Sequence, residues 1–366
     1  DTHTISNNNA ITEFNLSAFF TDPATFSSLP ANRAYRPMVT TLNSLSYQMG
    51  NGLNPVVFHL HMFFWYVVQL VMMFFFLRNL LNRIGTHKWN DYFALFSTAF
   101  YGLHAANAET INYLISISDS FSTVCVIATL LAYQVKWSRE RYLYLFTLII
   151  GIFTKQTAVV AVPLLVLYIF LFEENAELYD FKRLQKPLVA TMRKSWLLIV
   201  VGLGLFLFNQ LAMTPESTVS LNAQASKFRY FTTQFFVMAH YIGNFILPLN
   251  LSADPDFEII HSLFDTRIML GGALILVMLL IAFASFRNRQ TYGIGFGIIW
   301  FYLALMPTSS FIPLYQIAND HRTFFPYIGL VIALMTAIRY FIIKHEKNQT
   351  FFITLRSLRS SCLLWK

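Results

Sequence analysis

Asp1, Arg36, His104, Glu109, Asp119, Lys155, His321 and Arg322 are far apart in the sequence, but their types suit one reaction. A carboxylate can take the proton from an acceptor hydroxyl, and Arg or Lys can neutralise a departing phosphate. Glu109 and Asp119 flank the ends of apolar runs, where an acid is costly unless paired or functional. Lys155 alone separates two apolar runs, and Arg36 stands directly before Pro37. The last polar connection holds Pro307-Thr308-Ser309-Ser310 and Asn319-Asp320-His321-Arg322. Each residue also has a plain role: a loop acid is solvated, and a lysine between apolar runs is a snorkelling anchor. The group acquires chemistry only if the fold gathers it on one side of a membrane.

The composition calls for such a fold. Only 12% of the 366 residues are charged, about half the fraction in an ordinary soluble domain, and 56% are apolar, 38 of them Phe. The fold class expected is an all-α polytopic membrane protein. The net charge of +8 sits in short connections between apolar runs, which fits an anionic membrane face and not nucleic acid. Cys125 and Cys362 are widely spaced, so neither a disulfide nor a metal site is expected.

Residues 1–55 form a long polar segment. It opens without Met, so a helix is expected to precede it. Residues 56–343 carry apolar runs at about 56–77, 92–105, 119–135, 141–154, 156–172, 195–213, 231–248, 267–286, 293–307 and 323–343. We read these as about nine spans plus one interfacial or re-entrant helix at 231–248, which contains Gln234, His240 and Asn244. Residues 344–366 are a basic tail, assigned to the cytoplasm.

Basic residues set the orientation. With 78–91, 136–141, 173–194, 287–292 and the tail from Arg339 inside, 19 of the 26 Lys and Arg are cytoplasmic. Residues 1–55 then form an extracytoplasmic loop, and the eight residues above share the outer side. There is no Walker pattern and no HExxH.

Read in order, these segments resemble the membrane half of the tetratricopeptide-repeat O-mannosyltransferases and their bacterial relatives, in the C-type glycosyltransferase superfamily. Asp1, Ile5 and Asn8 fit the second acid onward of its first-loop motif, D-D-x-x-x-I-x-x-N. Tyr35-Arg36-Pro37 matches its Y-R-P segment, and Gly52-Leu53-Asn54-Pro55 with His59 matches its G-x-N-P…H. His104, Glu109, Tyr113 and Asp119 follow its H-P-x-x-x-E…Y-I…R-x-D, with Ala105 in place of the Pro. Thr154-Lys155-Gln156 follows its S-K-E turn, with Gln for Glu, and His321-Arg322-Thr323-Phe324-Phe325-Pro326 stands at its E-R-x-Y-L-P. No tetratricopeptide repeats follow Arg339.

The resemblance implies a C-type helical bundle with a long extracytoplasmic first loop carrying the acidic motif. It implies transfer of a sugar, mannose being expected, from a polyprenyl-phosphate donor to a hydroxyl acceptor on a protein Ser or Thr or on a glycan, by inverting displacement. Asp1 would be the base, with Glu109 and Asp119 placing the donor or tuning the cations. Arg36, Lys155 and Arg322 would hold the lipid phosphate, with His104 and His321 beside the substrate. The partners are the donor, the acceptor and the bilayer, with no nucleic acid; no cofactor is expected, and the chemistry requires no metal. The site would face the periplasm from a bacterial inner membrane, or the lumen of the endoplasmic reticulum in a eukaryote. A transporter or flippase for the lipid-linked sugar is the alternative, predicting ionisable residues at the midplane and internal pseudo-symmetry.

Overall fold

The computed structural model describes residues 2–213, 227–249, 251–252, 255–310 and 316–363, the side chains of 181 and 347–363 excepted. The described residues form helices and connections without a strand. The longer helices are α1 (Pro37–Met49), α2 (Pro55–Ile84), α3 (Asn90–Gly102), α4 (Leu114–Gln134), α5 (Leu143–Thr154), α6 (Gln156–Glu173), α7 (Gln185–Met213), α8 (Lys227–Ile246), α9 (Thr266–Ser285), α10 (Tyr292–Leu305) and α11 (Pro326–Leu363). Among them α2, α4, α6, α7, α9 and the Pro326–Glu346 part of α11 are long and apolar enough to cross a membrane. The protein is an all-helical, multi-pass membrane protein.

The local starts are readable in the chain. Pro37 and Pro55 occupy first turns, where no amide donor is needed, and the Asn54 side chain accepts from Val56 N at 3.1 Å. Asp265 caps α9 by accepting from Arg267 N at 2.9 Å. The apolar runs at 92–105, 141–154 and 293–307 become α3, α5 and α10, with 13, 12 and 14 residues. All three are shorter than the roughly 17–25 residues that span a bilayer. The run at 231–248 becomes α8, which is not among the six long apolar helices. Its face of Tyr230, Gln234, Val237, Tyr241 and Asn244 is buried. Helix α11 runs unbroken across the boundary at 343/344 to Leu363.

Packing uses small residues as well as aromatic ones. A Cβ on Gly297 would strike the Gly329 carbonyl, and one on Gly329 would strike the Gly297 carbonyl, so α10 and α11 lie backbone to backbone. Around that contact Phe76, Phe296, Trp300 and Phe301 fill the core. Residues 2–55 are not irregular chain. They fold as short turns before α1, held by Asn8, whose amide nitrogen donates to Thr25 O at 3.0 Å, and by Tyr35, whose hydroxyl donates to Phe20 O at 2.9 Å.

Candidate functional site

The site is assembled where four helices begin or break. Lys155 stands between α5 and α6 with extended backbone, φ −154° and ψ 129°. That break turns its side chain away from both helix axes. Asp119 lies early in α4, and Lys155 Nζ donates to its carboxylate. The pair is mostly buried, with side-chain exposures of 15% and 17%. Arg36, directly before Pro37 with φ −136° and ψ 63°, reaches the same place. Its Nη1 donates to Ser118 Oγ at 3.5 Å, and that hydroxyl lies 3.4 Å from Asp119 Oδ2.

The third cation arrives from the turn before α11. Asp320–Thr323 is a 3-10 helix whose Asn319 cap accepts from His321 N at 3.1 Å. At three residues per turn, neighbouring side chains point in three directions. Asp320 turns toward α8, His321 toward Glu109, and Arg322 toward Asp119 and Lys155. The Arg322 Nη2 donates to Gln316 O at 3.0 Å, while its buried Nη1 has no hydrogen-bond partner among the described residues. Asp119, Lys155, Thr308 and Arg322 supply the polar wall of a narrow cleft, and Val126, Ala304 and Phe325 an apolar one.

The electrostatics follow from burial. Burial pulls the Arg36 guanidinium pKa down, and the Asp119 carboxylate opposes that. Burial likewise lowers the Lys155 pKa; Asp119 raises it, and the neighbouring Arg36 and Arg322 lower it again. One carboxylate thus faces three cations.

The structure brings together Arg36, Asp119, Lys155 and Arg322. Glu109 and His321 form a neighbouring pair, with Oε1 3.6 Å from Nδ1, beyond hydrogen-bond reach. His104 is engaged elsewhere: Nδ1 accepts from Ala106 N at 3.3 Å, Nε2 donates to Phe245 O at 3.0 Å, and its ring stacks on Phe245. It shapes a corner and has no free nitrogen for a substrate. Asp1 lies outside the described residues. Among the described residues no group of three or more His, Cys, Asp or Glu side chains could hold a metal ion.

Two sets of residues noted in the sequence received no site role there. Asp320, 2% exposed, accepts from Asn244 Nδ2 at 3.3 Å and Ser252 N at 2.9 Å, with His240 Nε2 3.6 Å away. The signal was the i, i+4 spacing of His240 and Asn244 on one face of α8. Gln156 donates to Asn209 Oδ1 and accepts from Gln210 Nε2 at 2.9 Å. A Glu there could not donate to Asn209, which accounts for Gln in this turn.

The chain was compared with family models, curated proteins and solved structures, and none of them matches it.

Proposed function

We infer that this chain is a membrane-bound glycosyltransferase of the C-type kind, moving a sugar from a polyprenyl-phosphate donor to a hydroxyl acceptor. The observation that carries this reading is the unequal charge around the cleft. Arg36, Lys155 and Arg322 surround one carboxylate, Asp119, and a buried Arg322 Nη1 has no partner among the described residues. Such a surplus suits an anion whose charge grows as a bond to it breaks. A lipid-linked phosphate meets the further demand that the anion be delivered from within an apolar bundle.

The step balances without a co-reactant. The acceptor oxygen bonds to the anomeric carbon from the face opposite the phosphate. The carbon–oxygen bond to phosphate breaks, and its electron pair stays on the phosphate, beside the three cations. The hydroxyl proton goes to the Asp1 carboxylate, the role the resemblance gives that residue. Asp119, tied to Lys155, holds the cations in place and is a poorer proton acceptor than an unpaired acid. The sugar proposed is mannose, and the proposed orientation places the cleft on the extracytoplasmic side.

The test is transfer of labelled sugar from a polyprenyl-phosphate donor to a hydroxyl acceptor in detergent, where a flippase has nothing to move across. Asp1→Asn should lower turnover by about 10²–10⁴ while donor binding stays near wild type. No transfer by the wild-type chain, together with movement of lipid-linked sugar across vesicles, would replace this reading with the flippase.

A further inference from the structure

A second polar cleft lies at the other end of the bundle. Its lining is Asn79, Asn82 and Arg83 on the last turns of α2, Gln134 at the end of α4, and Tyr168 on α6, around about 320 Å³. Along α4, Gln134 is 15 residues from Asp119, or about 22 Å at 1.5 Å per residue. The proposed transferase chemistry makes no use of it.

The bonding pattern in this cleft is one-sided. Asn79 Nδ2 donates to Gln134 Oε1 at 3.1 Å, which leaves the buried Gln134 Nε2, beside the Tyr168 hydroxyl, without a hydrogen bond of normal geometry among the described residues. Asn90 Nδ2 donates to Asn82 Oδ1 at 2.7 Å, so Asn82 keeps a free amide nitrogen. The Tyr168 side chain is 1% exposed, and its hydroxyl, beside the Gln134 amide, has no hydrogen bond of normal geometry. Arg83 makes no ion pair or hydrogen bond among the described residues, and no carboxylate lines the cleft. Asn79 keeps one free acceptor, its carbonyl. The Tyr168 hydroxyl can donate or accept, the unspent amide nitrogens of Asn82 and Gln134 are donors, and Arg83 is a permanent cation.

The Gln134 amide nitrogen and the Tyr168 hydroxyl are buried, Asn82 and Arg83 are exposed at the mouth, and donors that converge beside a cation suit oxygens that carry negative charge. We propose that Asn82, Arg83, Gln134 and Tyr168 form an anion site for a phosphate group, separate from the Asp119 cleft. Arg83 supplies the charge, and the amides and hydroxyl fix the oxygens. Phosphate could arrive free or as a lipid headgroup, since the site opens at a helix end.

Binding is read as the rise in unfolding midpoint of the full chain. All titrations use an Arg322→Ala background, which weakens the other cation cluster. One arm adds inorganic phosphate to protein in neutral detergent. The other compares phosphatidylcholine nanodiscs with and without phosphatidic acid. Stabilisation in the first arm assigns free phosphate, and stabilisation confined to the second assigns a headgroup; either supports the site if it depends on the lining. Arg83→Gln should weaken binding about tenfold or more, Tyr168→Phe about three- to tenfold, and Arg141→Gln, an exposed arginine elsewhere, not at all. Gln134→Glu sets a carboxylate against the anion and should abolish binding. Tyr168→Phe keeps the buried ring, so it remains informative should Gln134→Glu fail to fold. Absence of stabilisation by either probe would overturn the proposal. Stabilisation unchanged by Arg83→Gln and Tyr168→Phe would do so too, leaving a cleft that holds only water.

Discussion

Asp119 and Glu173 sit at opposite ends of the bundle, and both are carboxylates among cations. Glu173, with a side chain 6% exposed, accepts from Arg139 at 2.9 Å and Lys194 at 3.2 Å, and Lys194 also reaches Glu174 at 2.5 Å. Two acids meet two bases, and the network closes on itself. Asp119 takes Lys155 directly and Arg36 through Ser118, while Arg322 faces the same cleft with a donor that has no partner among the described residues. Ion pairs alone therefore do not mark a site. The difference lies in the charge balance, and in whether a buried donor is left over.

The largest effect should come from removing the acid at the crowded end. Asp119→Ala leaves Lys155, 15% exposed, beside Arg36 and Arg322 with no carboxylate between them. Losing one partner of a buried pair costs about 3–5 kcal/mol. Glu173→Ala should cost less, roughly 1–3 kcal/mol, because Arg139 and Lys194 keep 36% and 44% of their side-chain surface exposed. Denaturant unfolding in detergent measures both. Equal losses would mean that the two clusters do not differ in burial as described.

Arg322→Ala reverses the emphasis. It removes a cation from an overcharged cluster, so stability should hold or rise. Transfer should fall about tenfold or more, since a hydrogen bond to a charged group is worth roughly 1.5–3 kcal/mol. An Arg322→Ala protein that unfolds earlier but turns over normally would make the cluster a structural network like that of Glu173.

A pH profile separates the ends by a smaller effect. Burial holds the Lys155 pKa below the ordinary lysine value of about 10.4. Between the folded and ordinary values the unfolded chain keeps a proton that the folded chain has released. Stability from this group therefore rises with pH through that interval. Donor affinity should fall over the same interval, as one of three cations is neutralised. Lys155→Met should remove both slopes. If the mutant keeps the wild-type slopes, Lys155 does not titrate there.

Much of the arrangement could be read from the chain, because helix ends and breaks have local signals. Pro37, Pro55 and Lys155 each mark such a place, and each side chain that the sequence set beside a phosphate there, Arg36 and Lys155, is found in one cluster. Partners far apart in sequence leave no such signal. Asp320 and His240 are 80 positions apart, and nothing in the loop says that the carboxylate turns inward while Arg322 turns to the cleft. His104 shows the opposite failure: its type suits a site, but the neighbouring backbone takes both nitrogens. Helix length was also hard to read, since α3, α5 and α10 are largely apolar yet stop at 12 to 14 residues.

The smallest expected effect is at Arg267. Like Arg322 it is a basic residue in a turn at the start of a helix, and a positive-inside count scores the two alike. Its surroundings differ. Arg267 Nε and Nη2 both donate to Asp265, at 3.0 and 2.9 Å, and that acid also caps α9. The pair is solvent-facing, it lines no described cleft, and each charge already has its partner. Arg267→Ala should leave transfer and donor affinity at wild-type levels. Run beside Arg322→Ala in the same preparation, it controls for membrane insertion and expression. If the two substitutions lowered transfer equally, general insertion would explain both, and the surplus of cations around Asp119 would lose its claim on the phosphate.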